Sequence, residues 1–459
     1  MLPPCNEAMP ILPIDSGRYG SDEIKKIFDE QSRLNYQLEF EASVAESQGE
    51  IGIIPAAAAG EIARKSRSGK ITVQRVKKLE AVSEHDTAAM VEAISELCNH
   101  NAKPWIHYGL TSYDVVDTSI SMQIRDSLSI IEPKIAKIAV MLTDKARKYT
   151  NLPAVGRTHG QHASIISFGL KFAVWASDMV GHINRIKEMK KRVLVCKTLG
   201  VVGTGSLMGS KALKVQALVA KKLKLYPVDA ATQVVSREKH AEFILCLALI
   251  ASTLDKIAVE IRNLQRTEIG EVAEPFREGQ MGSSAVPVKR NPIKSERISS
   301  LARILKSMTS VSLENVTLWH ERDLSNSANE RFTIPMAVIL LDEMFNSMTK
   351  ILSGLKINDK RISENLEYTK GQIYAEFVLD ALIKKGMPRL HAYRAIQRTA
   401  FAAEKKDIHF LDALSNDKEI SSKLKREELR KIFNPKSHLA ASSQIIDGVT
   451  KIVKQACRA

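Results

Sequence analysis

Hydrophobic residues recur three and four positions apart along much of this chain, the spacing that lines one face of an α-helix. The clearest series is Leu247, Ile250, Leu254, Ile257, Ile261 and Leu264. It lies in a stretch from Val228 through Ile269 with neither glycine nor proline for 42 residues, and a second stretch of equal length runs from Ile293 through Ile334. A helix of that length would extend about 63 Å, and such a seam needs partner helices to cover it. Two more helices are expected. One runs from His162 to Leu199 with Gly169 and Gly181 inside it, and the other carries Ile120, Ile124, Leu128, Ile131, Ile135 and Ile138, with a kink at Pro133.

Alternating β-branched runs are short and few. The segment KTLGVVGTGSLMGS, from Lys197, reads as a glycine-rich connection, because no strand of a βαβ unit precedes it. The predicted fold is therefore all-α, in three helical domains: 1–111, a central bundle of long helices over 112–364, and 365–459.

Composition narrows the function. The 459 residues are 44% hydrophobic, an ordinary globular balance. The first residues show no basic start and no sustained apolar core, so export is not expected. The most apolar run, FILCLALIA from Phe243, falls well short of the roughly 20 residues of a membrane span. Cys5, Cys98, Cys196, Cys246 and Cys457 are far apart without a Cys-x-x-Cys pair, which points to reduced thiols in a cytoplasmic protein. A net charge of +15 could serve nucleic acid, but the basic residues are scattered and aromatics are only 5%, so a field that draws in a small polyanion fits better.

Four polar clusters interrupt the helical pattern. SEHDTAAM, from Ser83, sets His85 and Asp86 before an apolar helix, where a helix cap competes with ligand binding. HYGLTSYDVVDT, from His107, has Thr111, Ser112 and Asp114 at the start of a helix, with the same two readings. GRTHGQHA, from Gly156, puts His159 and His162 three apart at what reads as a helix start; no carboxylate–histidine set accompanies them, so no metal is expected. GSSAVPVKRNP, from Gly282, uses the vocabulary of a surface loop, yet carries two serines, a lysine and an asparagine.

These segments, with ATQVVSREKHAE and WHERDLSNSANER, resemble in their order and over nearly the whole chain the adenylosuccinate lyase family of the fumarase/aspartase superfamily. The resemblance implies a cofactor-free β-elimination that releases fumarate from a succinylated purine nucleotide, in a homotetramer whose sites are shared between subunits. It implies that Ser283 is the base, His159 the general acid, and Lys289 and Asn291 the groups holding carboxylates and developing charge. Glu296 would support them. Arg18, Tyr19, His85, Asp86, His107, Thr111, Ser112, Thr158, Gln233, Arg322, Ser327 and Arg331 would complete the substrate contacts. Three positions depart from the family pattern: Glu84 where arginine is frequent, Val286 where methionine is usual, and Val288 where histidine or tyrosine is frequent. A lyase or cycloisomerase acting on another dicarboxylate, such as a carboxymuconate, and an inactive homologue are the competing readings. No nucleic acid or membrane partner is implied.

Overall fold

The computed structural model describes residues 11–458, so Cys5 lies outside the described residues. Among the described residues, five helices come first: α1 (Asp22–Phe28), α2 (Glu30–Glu50), α3 (Ala56–Ser66), α4 (Val73–Ser83) and α5 (Asp86–Leu97). Then come α6 (Ser112–Lys148), strands β1 (Pro153–Thr158) and β2 (Gln161–Ser167), α7 (Phe168–Val193), β3 (Val195–Cys196), α8 (Ala212–Leu223), β4 (Tyr226–Pro227), α9 (Glu238–Leu264), β5 (Val272–Ala273), α10 (Ile293–Glu314) and α11 (Ser327–Gly354). A short β6 (Lys356–Ile357) precedes the last seven helices: α12 (Asp359–Glu367), α13 (Ala375–Lys384), α14 (Arg389–Lys405), α15 (Phe410–Asn416), α16 (Lys418–Lys423), α17 (Arg426–Ile432) and α18 (Ala440–Ala456). The strands form three two-stranded sheets, β1–β2, β3–β4 and β5–β6. The fold is all-α with these small ribbons attached.

Two compact units divide the described residues. One comprises residues up to Lys134 with His182–Ser252 and Ser300–Asn346; the other comprises Ile135–Gly181, Thr253–Ser299 and the chain from Ser347 on. The helices α6, α7, α9, α10 and α11 each contribute residues to both units. None of the described helices is long and apolar enough to cross a membrane.

The seam of α9 is buried as its spacing requires, with Leu247, Ile250, Leu254 and Ile257 all at 0% exposure. Each such side chain contributes roughly 1.5–3 kcal/mol relative to an exposed position. In α6, Ile124, Leu128, Ile131, Ile135 and Ile138 are equally buried, and the helix runs for 37 residues through Pro133. Cys98, Cys196 and Cys246 are buried free thiols, and burial pushes the Cys196 thiol up to about 12.

Three expected helices are corrected. The stretch from Val228 becomes helical only at Glu238. The stretch from Ile293 breaks between Glu314 and Ser327, because Asp323 takes the backbone N–H of Trp319 and of Ser325, each at 2.7 Å. Short polar side chains that capture nearby backbone in this way compete with the helix ladder. The helix expected from His162 starts six residues later, at Phe168, since His162 belongs to β2. Its preceding residues form a hairpin instead of a helix start: His159 at φ 53° and Gly160 at φ 75° occupy the two-residue turn between β1 and β2. Histidine is one of the few side chains that tolerate this left-handed conformation.

Candidate active site

The first unit contains a cavity of about 360 Å³, within the usual range for small-molecule sites. Of the residues singled out in the sequence, His85, Asp86, Ser112, Arg322, Ser327 and Arg331 line it. They arrive there because α5, α6 and α11 all begin at its wall, and a helix start presents unpaired N–H groups that favour anions.

The capping reading of the first cluster is realised at the cavity wall. His85 is the N-cap of α5, its Nδ1 accepting the Ala88 N–H at 3.2 Å, while its Nε2 lies 3.4 Å from Ser112 Oγ. Asp86 Oδ2 meets the Arg331 guanidinium at 3.2 Å. Arg322 donates to the Gln233 amide oxygen at 2.6 Å and lies over the Tyr113 ring, 4.0 Å from its centroid. Thr111 precedes α6, and its N–H donates to Asp114 Oδ2 at 2.8 Å.

Buried charge fixes these helix starts. Asp114 and Lys197 are both fully buried and paired, and Asp114 also accepts the N–H groups of Leu199 and Gly200 at 3.1 and 3.0 Å. Arg237 clasps Asp117 with two contacts of 2.8 and 3.0 Å, and Glu330, in the first turn of α11, lies 3.1 Å from His240 Nδ1. Burial opposes the charge on Glu330, but His240 and Arg237 outweigh it and hold its pKa below the usual carboxylate range.

His107, at φ 58°, lies 2.6 Å from the buried carboxylate of Glu41 and lines a second pocket with His85 and Ser112. Burial works against its charge, yet Glu41 prevails and raises its pKa above the ordinary histidine value. Arg18 and Tyr19 are not among the lining residues of the cavity; they precede α1, with the guanidinium 6.0 Å from the tyrosine ring centroid. The cavity also includes Arg33, Gln37, Glu80, Tyr113 and Gln123, none of which the sequence singled out. Gln37, Glu80 and Gln123 sit inside regular helices, where nothing local distinguishes a cavity-facing polar residue from a solvated one. Glu84 lines the cavity from the left-handed C-cap of α4.

The second unit holds the other group. Ser283, Lys289 and Asn291 lie on the connection from β5 to α10, Glu296 in the first turn of α10, and Thr158 and His159 at the exposed end of the β1–β2 hairpin. Ser283 Oγ accepts the backbone N–H of Val286 at 3.2 Å and of Ala285 at 3.4 Å. The side chains of His159, Lys289 and Asn291 have no hydrogen bond or ion pair among the described residues. Gly282 permits the turn: a Cβ there would come 2.0 Å from the Lys289 carbonyl oxygen. Behind the hairpin, Arg157 and the fully buried Glu271 form a two-pronged pair at 2.6 and 3.2 Å, with Asn365 at 2.8 Å on the same carboxylate. Burial, followed by the neighbouring Arg157, lowers the pKa of His162.

A lyase family signature matches residues 17–305, and a signature for the C-terminus of adenylosuccinate lyase matches residues 371–449. The adenylosuccinate lyase of Methanocaldococcus jannaschii is 42% identical over 98% of this chain and 97% of its own length. The chain belongs to the adenylosuccinate lyase family. The Pyrococcus horikoshii member is 40% identical over 97% of this chain and 99% of its own length. Among solved structures, a fumarate lyase from a Mesorhizobium strain aligns with TM-score 0.86 and 30% identity over 94% of this chain and 97% of that one. A 3-carboxy-cis,cis-muconate lactonizing enzyme from Pseudomonas putida aligns with TM-score 0.87 and 26% identity over 97% of this chain and 100% of that one. The family is one of lyases within the fumarase/aspartase superfamily, and the all-α fold is theirs.

Proposed function

We propose that the chain eliminates fumarate from adenylosuccinate, leaving AMP, and cleaves the succinylated aminoimidazole carboxamide ribonucleotide in the same way, as a step of purine biosynthesis. Full-length identity of 42% to an adenylosuccinate lyase supports this substrate over a carboxymuconate. The observation that carries the chemistry is the pair of backbone N–H groups on Ser283 Oγ. A serine hydroxyl is a weak base, and an alkoxide needs such donors to form.

Ser283 removes the proton beside a succinyl carboxylate, the electron pair forms the carbon–carbon double bond, and the C–N bond breaks. The carboxylate next to the reacting carbon gathers negative charge in the transition state. Lys289 and Asn291, whose side chains have no partner among the described residues, are suited to hold it. His159 returns a proton to the departing nitrogen, a task for an imidazole, which can both carry and release one. Glu296 supports this machinery. In the first unit, Ser327 and Arg331 suit a phosphate, and Arg322, Gln233, Ser112 and Thr111 suit the remaining polar groups of the substrate. Arg18, Tyr19, His107 and Thr158 complete the proposed contacts.

We also propose three helical domains, 1–111, 112–364 and 365–459, and a cytoplasmic homotetramer in which one subunit supplies His159 and another Ser283 to the same site. The exposed hairpin end and the absence of a protein partner for His159 within the described chain support that sharing. The test is fumarate release from adenylosuccinate by the purified protein, followed by mixing inactive His159→Gln and Ser283→Ala proteins under subunit exchange. No fumarate from either purine substrate sinks the reading of the function. Fumarate from wild type without recovery in the mixture removes only the shared site.

A further inference from the structure

We infer that Glu274 is a positioning residue for the Ser283 loop: its carboxylate caps α10 from outside, which leaves Lys289 and Asn291 free for substrate. The inference rests on the roles proposed above for those two residues.

A helix start is usually capped by the residue just before it. Before Ile293 that residue is Pro292, which has no side-chain acceptor, and the next one back is Asn291, a common capping type. Among the described residues the Asn291 side chain caps nothing. Glu274, 6% exposed, does the capping instead, accepting the Ser295 N–H at 2.7 Å through Oε1 and the Lys294 N–H at 3.2 Å through Oε2. A buried carboxylate is costly unless its charge is met. Here it is met by those two N–H groups, by the positive end of a helix of 22 residues and by Lys294 Nζ at 4.0 Å.

The same residues tie the two feet of the loop together. The Glu274 N–H donates to Gln265 Oε1 at 2.9 Å, and Gln265 Nε2 donates to the Arg290 carbonyl at 2.9 Å. Lys294 Nζ reaches the Pro275 carbonyl at 3.3 Å. Farther out, the tight approach of Gly282 to the Lys289 carbonyl closes the loop again. Residues 283–288 form the lobe beyond these ties, while Lys289 and Asn291 stay in register with α10.

The test uses the purified full-length chain with Glu274→Gln and Glu274→Ala. With adenylosuccinate, kcat should fall about tenfold for the first and about a hundredfold for the second, as expected when reacting groups are misplaced, with KM little changed. Trypsin cleavage after Lys289 and Arg290 should accelerate in the same order. A residue that served stability alone would lower the folded fraction and leave kcat per folded enzyme untouched. If Glu274→Ala does not fold, Gln265→Ala loosens the same foot more mildly, and its loss combined with Glu274→Gln should be non-additive. Folded Glu274→Gln with wild-type kcat and wild-type trypsin sensitivity overturns the inference, as does a rise in KM with kcat unchanged. Should the wild type release no fumarate, the proposed function falls, and the trypsin comparison still decides whether Glu274 holds the loop.

Discussion

The cavity in the first unit and the Ser283 loop in the second are built on opposite terms. Around the cavity, four polar side chains are held in pairs: Asp86 by Arg331, Gln233 by Arg322, Asp117 by Arg237, Asp114 by Lys197. On the loop and the hairpin, the Lys289, Asn291 and His159 side chains have no partner among the described residues. The difference follows from the cost of charge. A buried charge must be paired where it sits, and the pairing fixes the helix starts that form the wall. An exposed charge can wait in water for a substrate carboxylate at little cost. Substitutions should therefore act on binding and stability in the first unit and on turnover in the second.

The largest expected effect is Ser283→Ala. Loss of the proposed base should cut kcat by about a thousandfold or more, with substrate still bound in an equilibrium binding measurement. Near-normal turnover would move the base to another residue, with Ser284 tested next, and would erase the contrast.

In the first unit, Arg237→Met should cost about 3–5 kcal/mol in denaturant unfolding, because Asp117, at 0% exposure, is left charged without its partner. A change near zero would mean that the pairing does not fix the wall. Arg331→Met sharpens the comparison more finely. It should raise KM for the nucleotide about tenfold to a hundredfold and leave kcat nearly unchanged, the signature of a lost charge-assisted contact. A fall in kcat instead would mix the two roles.

The smallest effect concerns His107. Its pKa is raised, so the His107–Glu41 interaction contributes fully below the unfolded histidine value of about 6.5 and is lost as pH rises through the higher folded value. Glu41→Gln leaves burial opposed only by the weaker field of Asp114, so the NMR titration of His107 should shift downward. An unchanged titration would remove Glu41 as the cause.

The long helices and the chemistry-bearing clusters were legible in the chain itself. A three-and-four hydrophobic spacing has one cheap solution, and so Leu247 to Leu264 and Ile124 to Ile138 are buried helix faces. Ser283, Lys289 and Asn291 stand out because prolines and glycines mark their segment as a loop. Other features depended on atoms distant in sequence. His159 lies on a hairpin because β2 returns against β1 across a left-handed turn, and a glycine beside a histidine does not announce which side of that turn is strand or helix. Gln37, Glu80 and Gln123 line the cavity from helix interiors, where periodicity records only inside and outside. Glu274 and Gln265 acquire their partners from segments about twenty residues away. Local spacing is set by backbone geometry and can be read along the chain; which polar group meets which is set by packing, and only the tertiary structure decided it.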